Sequence, residues 1–130
     1  MPAQRRIDLV LESVKRLQRI GATANLLNLL QKQHPADLAQ VFGELTERDR
    51  RDSFALLVER YSRLAMEAIS ELGPEAGAAM LADRSAEDLA ELLQELPSDD
   101  AAALIEHLPE TLSIAVLDLL ERREAGDVQN

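Results

Sequence analysis

The fold turns on His34-Pro35-Ala36-Asp37-Leu38-Ala39-Gln40-Val41-Phe42-Gly43-Glu44-Leu45. Pro35 suits the first position of a helix, where its missing N–H leaves no hydrogen bond unmade. Asp37 then falls in the first turn, where the helix dipole favours a carboxylate. Leu38, Val41, Phe42 and Leu45 stand at i, i+3, i+4 and i+7 and form one apolar stripe at helical period. A helix this short is unstable alone in water. It must bury its stripe against neighbours, and the rest of the chain supplies them by repeating the pattern.

On the N-terminal side, residues 6–19 read as a first helix with Ile7, Val10, Leu11, Val14 and Leu17 as its stripe, ended by Gly21. A second helix starts at Thr23 or Ala24 and runs to about Gln33. On the C-terminal side, helix starts recur near Glu47, Ser62, Pro74, Ser85, Pro97 and Pro109, about 12 residues apart, with a longer interval around Tyr61. Two devices mark them. Proline stops one helix and opens the next, and Thr46 with Asp49, or Ser85 with Asp88, resembles a capping box with a shorter acid. The bodies are alike as well. Asp88-Leu89-Ala90-Glu91-Leu92-Leu93-Gln94-Glu95-Leu96 and Asp100-Ala101-Ala102-Ala103-Leu104-Ile105-Glu106-His107-Leu108 both echo residues 37–45. A last helix is expected from about Pro109 to Arg123, with basic Arg122 and Arg123 at its end. The polar tail from Glu124 on is expected to fray. Single short helices in tandem imply a solenoid, because each covers its neighbour's stripe. The expectation is an all-α, right-handed superhelix of about nine short helices. One domain covers residues 1–124, and 125–130 form a tail or linker. The alanines at 76, 78, 79, 90, 101, 102 and 103 are expected to let helix axes approach closely, and the five glycines to sit at helix ends.

Composition narrows the function. The 130 residues contain no cysteine and three aromatic side chains, Phe42, Phe54 and Tyr61, and they carry a net charge of −10. Absence of cysteine removes disulfide and thiolate metal chemistry. No apolar run approaches the roughly 18 residues that a membrane span needs, and no signal peptide is visible. Residues 1–20 carry +3 and the remainder −13. An acidic body repels phosphate backbones, which argues against nucleic-acid binding, and it attracts cations or basic partners. The basic first helix, with Arg5, Arg6, Lys15, Arg16 and Arg19, suits either an anionic lipid surface or pairing with the acidic body.

No catalytic pattern is present. There is no nucleophile elbow, Gly-rich phosphate loop or Cys nucleophile, and the serines have no histidine near them in sequence. The chain is not expected to be an enzyme. His34, just before Pro35, reads as a packing or capping residue at a helical joint. His107 closes a helix, where an imidazole suits the dipole. Their spacing matches no zinc motif. Asp99 and Asp100 follow Pro97 and Ser98 at a helix start. They read as dipole and capping acids.

The stretch His34-Pro35-Ala36-Asp37-Leu38-Ala39, the 12-residue helical joints and Glu95-Leu96-Pro97 resemble the N-terminal cytosolic domain of MgtE-type magnesium transporters, from about Leu11 to Glu124. The resemblance implies a helical superhelix that precedes a pair of CBS domains and a transmembrane channel. It implies a place on the cytoplasmic face of the inner membrane and a homodimer as the full-length protein. In that family, magnesium held between this domain and the CBS pair keeps the channel closed. The positions that match the family's metal-contacting acids are Glu67, within Ala65-Met66-Glu67-Ala68-Ile69, and Asp99, within Pro97-Ser98-Asp99-Asp100. A further family acid falls on Ala103. The isolated domain is therefore expected to bind magnesium weakly. The alternative, of a different class, is a structural interaction module resembling the flagellar motor switch protein, which binds partner proteins and ignores magnesium.

Overall fold

A computed structural model describes residues 2–129, with side chains described for residues 4–126. Among the described residues there are nine helices and no strand: α1 (Pro2–Ile20), α2 (Thr23–Gln31), α3 (Pro35–Glu44), α4 (Glu47–Arg60), α5 (Ser62–Leu72), α6 (Pro74–Leu81), α7 (Ala86–Leu93), α8 (Ser98–Glu106) and α9 (Glu110–Gln129). The all-α class and the helix starts are as the punctuation predicts. The chain divides into two compact units, Met1–Leu72 and Gly73–Asn130.

In the first unit α1 packs on α2 and α3, α2 on α4, and α5 on both α3 and α4. In the second unit α6 packs on α8, and α9 on α7 and α8. Within each unit, contact between a helix and the next but one is what single-helix repeats need to cover their stripes. The stripe of α3 is fully used: Leu38, Val41 and Phe42 are completely buried and Leu45 nearly so. Phe54, Leu57, Met66 and Ile69 complete the first unit's core, and Leu81, Leu89, Leu93, Leu104 and Val116 form that of the second. Each such side chain contributes about 1.5–3 kcal/mol of burial.

The joints are held by local chemistry. His34 is the N-cap of α3, and its Nδ1 accepts the Ala36 N–H at 3.1 Å. Thr46 Oγ1 accepts from the Asp49 N–H at 3.2 Å, and Ser85 Oγ from the Asp88 N–H at 3.1 Å. The longer interval around Tyr61 arises because α4 has 14 residues and Tyr61 alone separates it from α5. Gly73 opens α6 at φ +98°, a conformation a side chain resists, with Pro74 behind it. A longer-range device closes α3. The Arg50 guanidinium on α4 donates to the carbonyls of Phe42 (2.7 Å), Gly43 (3.3 Å) and Leu45 (3.2 Å) at the helix end, where Phe42 O also accepts the Leu45 N–H at 3.3 Å.

Several local expectations are corrected. α1 begins at Pro2, not residue 6, because proline is tolerated in a first turn and Gln4, Arg5 and Arg6 favour helix. α9 continues past Arg123 to Gln129, since no proline or strong stop signal follows. Arg122 is consequently mid-helix and pairs with Asp118 at 3.2 Å. Asn130 of the expected tail lies outside the described residues. Gly77 and Gly126 lie inside helices rather than at their ends, whereas Gly43 is in the last turn of α3. Ala78 and Ala90 are buried as close-packing residues, but Ala79 and Ala102 are exposed.

Candidate functional site

The first unit presents Glu67 on the outer face of α5, between buried Met66 and Ala68. Period 3.6 places Arg63 one turn before it and Glu71 one turn after, both exposed. Glu67 and Glu71 thus form a like-charge i, i+4 pair, which costs about 0.2–0.5 kcal/mol. Arg63 offsets part of that repulsion, in the weaker order with the base N-terminal to the acid. Among the described residues Glu67 makes no ion pair. Glu71 escaped the reading of the sequence, although its spacing from Glu67 was the signal that would have found it.

The second unit presents Asp99 in the first turn of α8, exposed, with half-buried Asp100 beside it. Pro97 is the N-cap and no side chain caps the helix. The two acids therefore answer the dipole without capping. Asp99 makes no ion pair among the described residues. Ala103, four residues on, offers only its carbonyl, which lies 3.0 Å from His107 Nδ1. His34 is engaged as the α3 cap. Both histidines thus have structural work at helix ends.

Among the described residues, no three His, Cys, Asp or Glu side chains come together in a group that could hold a metal ion. Any magnesium held by Glu67 or Asp99 must complete its octahedron with water and with oxygens from elsewhere. An open cleft of about 770 Å³ in the first unit is lined by Lys15, Arg19 and Arg48 together with Asp49 and Asp52. Its mixed signs do not suit a divalent cation. In the second unit a groove of about 610 Å³ is lined mainly by Leu93, Leu96, Ala101, Ala102, Leu117 and Leu120. It is apolar, which no reading of the repeats anticipated.

Charge is divided unequally between the units. Residues 73–130 hold fourteen acids against three arginines, a net −11, whereas residues 1–72 hold eleven bases against ten acids, a net +1. No helix among the described residues is long and apolar enough to cross a membrane.

Comparison with known proteins is consistent with this picture. Residues 33–130 match the family described as the MgtE intracellular N domain. The match opens one residue before His34 and takes in α3 to α9. It leaves α1 and α2 ahead of it, whereas the resemblance read from sequence began near Leu11. No curated protein and no solved structure matches the chain. Three-quarters of the sequence carries the match, so the chain belongs to the MgtE intracellular N domain family and is an N-terminal domain of the MgtE type of magnesium transporter.

Proposed function

We propose that this domain senses intracellular magnesium for its transporter. In this reading Glu67 and Asp99 share hydrated magnesium with an adjoining CBS domain pair, and the ion holds the assembly in the arrangement that keeps the channel closed. What supports it is a pair of exposed carboxylates, one in each unit, which the family resemblance suggests as metal contacts. Among the described residues both lack an ion-pair partner, and neither has a capping duty. Magnesium bound between domains cancels acid–acid repulsion, and its loss restores that repulsion and releases this domain. The coupling equals the difference in ion affinity between the two arrangements. Because one or two carboxylates per domain suffice for an ion that retains its waters, the domain alone binds weakly. The reading places it on the cytoplasmic face of the membrane, in a dimeric full-length transporter.

The test is small-angle scattering of this domain joined to the CBS pair, with millimolar magnesium or with chelator. Compaction by magnesium, reduced in Glu67→Ala and Asp99→Ala, is expected. Unchanged dimensions in the wild type, or wild-type compaction in both variants, would sink the reading. So would a full gene without a membrane pore.

A further inference from the structure

Two faces of this chain remain uncovered, and they are complementary. The first is the outer side of α1. Ile7, Leu11 and Val14 are buried on its inner side, yet Leu9 is 63% and Ile20 66% exposed. These two residues are eleven apart, about three turns, so they share a face about 16 Å long. Arg5 and Arg16 repeat the same spacing, each four residues before one of them. All four side chains thus lie along one outward strip, on which the two cations and two apolar groups outnumber the single exposed acid, Glu12. Arg5 and Arg16 make no ion pair among the described residues, whereas Arg6, off the strip, pairs with Asp37 at 2.9 Å.

The second face is the groove of the second unit between α7, α8 and α9. Leu117 lines it and is 44% exposed, and Ile114 on the same helix is 61% exposed. Glu106 lines the groove as well. Glu110, Glu121 and Glu124 stand at i−7, i+4 and i+7 from Leu117, on its side of α9, and all are exposed. An apolar trough with an acidic margin, in a unit of net charge −11, fits a basic helix with apolar residues at intervals.

We infer that the α7–α9 groove receives α1 from a second copy of this chain. Leu9 and Ile20 enter the apolar trough, and Arg5 and Arg16 meet the glutamates of its margin. This pairing is independent of the magnesium reading, and α1 lies outside the family match. An anionic lipid surface is the competing partner for α1. It is disfavoured because only two large apolar side chains are available for insertion and residues 21–130, at −13, are repelled from such a surface.

The test is sedimentation of the 130-residue chain with rising concentration, using charge reversals on either face. Wild type is expected to rise from its monomer mass of 14.4 kDa toward twice that value. Arg5→Glu with Arg16→Glu, and separately Glu106→Lys with Glu121→Lys, should each lower the association constant at least about tenfold. An equimolar mixture of the two variants should recover association, because the reversed helix of one now fits the reversed groove of the other. Circular dichroism checks that both remain helical, and a variant that unfolds is replaced by the Gln substitutions at the same positions, read for weakened association. The inference is overturned by a wild type that stays monomeric, including one that instead pellets with anionic vesicles. It is equally overturned by association that survives both reversals or is not recovered in the mixture.

Discussion

Removing the Arg50 guanidinium is the most informative single perturbation of the first unit. Its Nε–Phe42 O contact is short, 2.7 Å, and joins a charged donor to a carbonyl at the end of α3. Such a bond contributes about 1.5–3 kcal/mol net. The contacts to Gly43 and Leu45, at 3.3 and 3.2 Å, are longer, and water can replace part of them. Arg50→Met keeps the aliphatic stem and should therefore cost about 2 kcal/mol, or about 6 °C in melting temperature for a domain of this size. Arg50→Lys retains charge near the helix C-terminus but loses the fork, and should recover about half. The contrast is Arg122→Met. Its pair with Asp118 is 3.2 Å long, with side chains 75% and 54% exposed, so loss of less than about 0.5 kcal/mol is expected. Thermal and urea unfolding followed by circular dichroism measure all three. Equal losses for Arg50→Met and Arg122→Met, or full stability in Arg50→Lys, would refute the role assigned to the fork.

The two tested glycines should respond with opposite signs. A Cβ at Gly43 would meet only Leu72 Cδ2, at 4.0 Å, so Gly43→Ala should raise stability by about 0.5 kcal/mol in a urea titration. At Gly73 there is space, but φ is +98°, so Gly73→Ala should cost about 1–2 kcal/mol and lower the melting temperature. Ser85→Ala removes the N-cap of α7 and should cost about 1 kcal/mol, with Ser85→Asp restoring most of it in the same melt. Gln18 on α1 donates through Nε2 to the Asp49 carbonyl (3.0 Å) and to buried Ser53 Oγ (2.9 Å) on α4. Gln18→Glu substitutes an acceptor for that donor at nearly constant shape. It should cost about 2 kcal/mol by chemical denaturation, and more than Gln18→Met, which turns a methyl group rather than an anionic oxygen toward the carbonyl.

The joints were legible because their chemistry is local. A proline, a serine or a threonine before an apolar run says where the next helix begins, and His34 already pointed to a cap. Gly77 misled because helix propensity is a weak prior of about 1 kcal/mol. Burial of Met80 and Leu81 in the same helix exceeds it several-fold. Gly126 misled for a related reason, since no proline follows it to turn a permissive residue into a terminator. Arg50 was not foreseeable as a cap, because its partners lie on a preceding helix and only packing brings the two together. The apolar groove was hidden by the repeats themselves. Ala101 and Ala102 read as close-packing residues, yet in α8 they line an open trough, because a periodicity records an apolar face without recording whether anything covers it. Glu67 carries no local signature beyond exposed charge and Asp99 none beyond a helix start, so only the family resemblance proposes them as metal contacts.

Asp99 illustrates why, if the proposed sensing holds, this domain should be a poor magnesium site by itself. It stands in the first turn of α8, where the helix end supplies roughly half a positive charge. That partial charge stabilises the carboxylate and opposes an arriving cation at the same place. The net −11 of the second unit draws magnesium toward the surface in general, but attraction of that kind is screened within about 8 Å at physiological salt. With alanine at position 103, α8 has no further carboxylate one turn on from Asp99. Under the sensing reading this weakness is functional. An ion held tightly by one domain would stay bound in both arrangements and shift nothing, because only a difference in affinity moves an equilibrium. Oxygens contributed by the adjoining domain must supply that difference, and they do so only while the two surfaces are together.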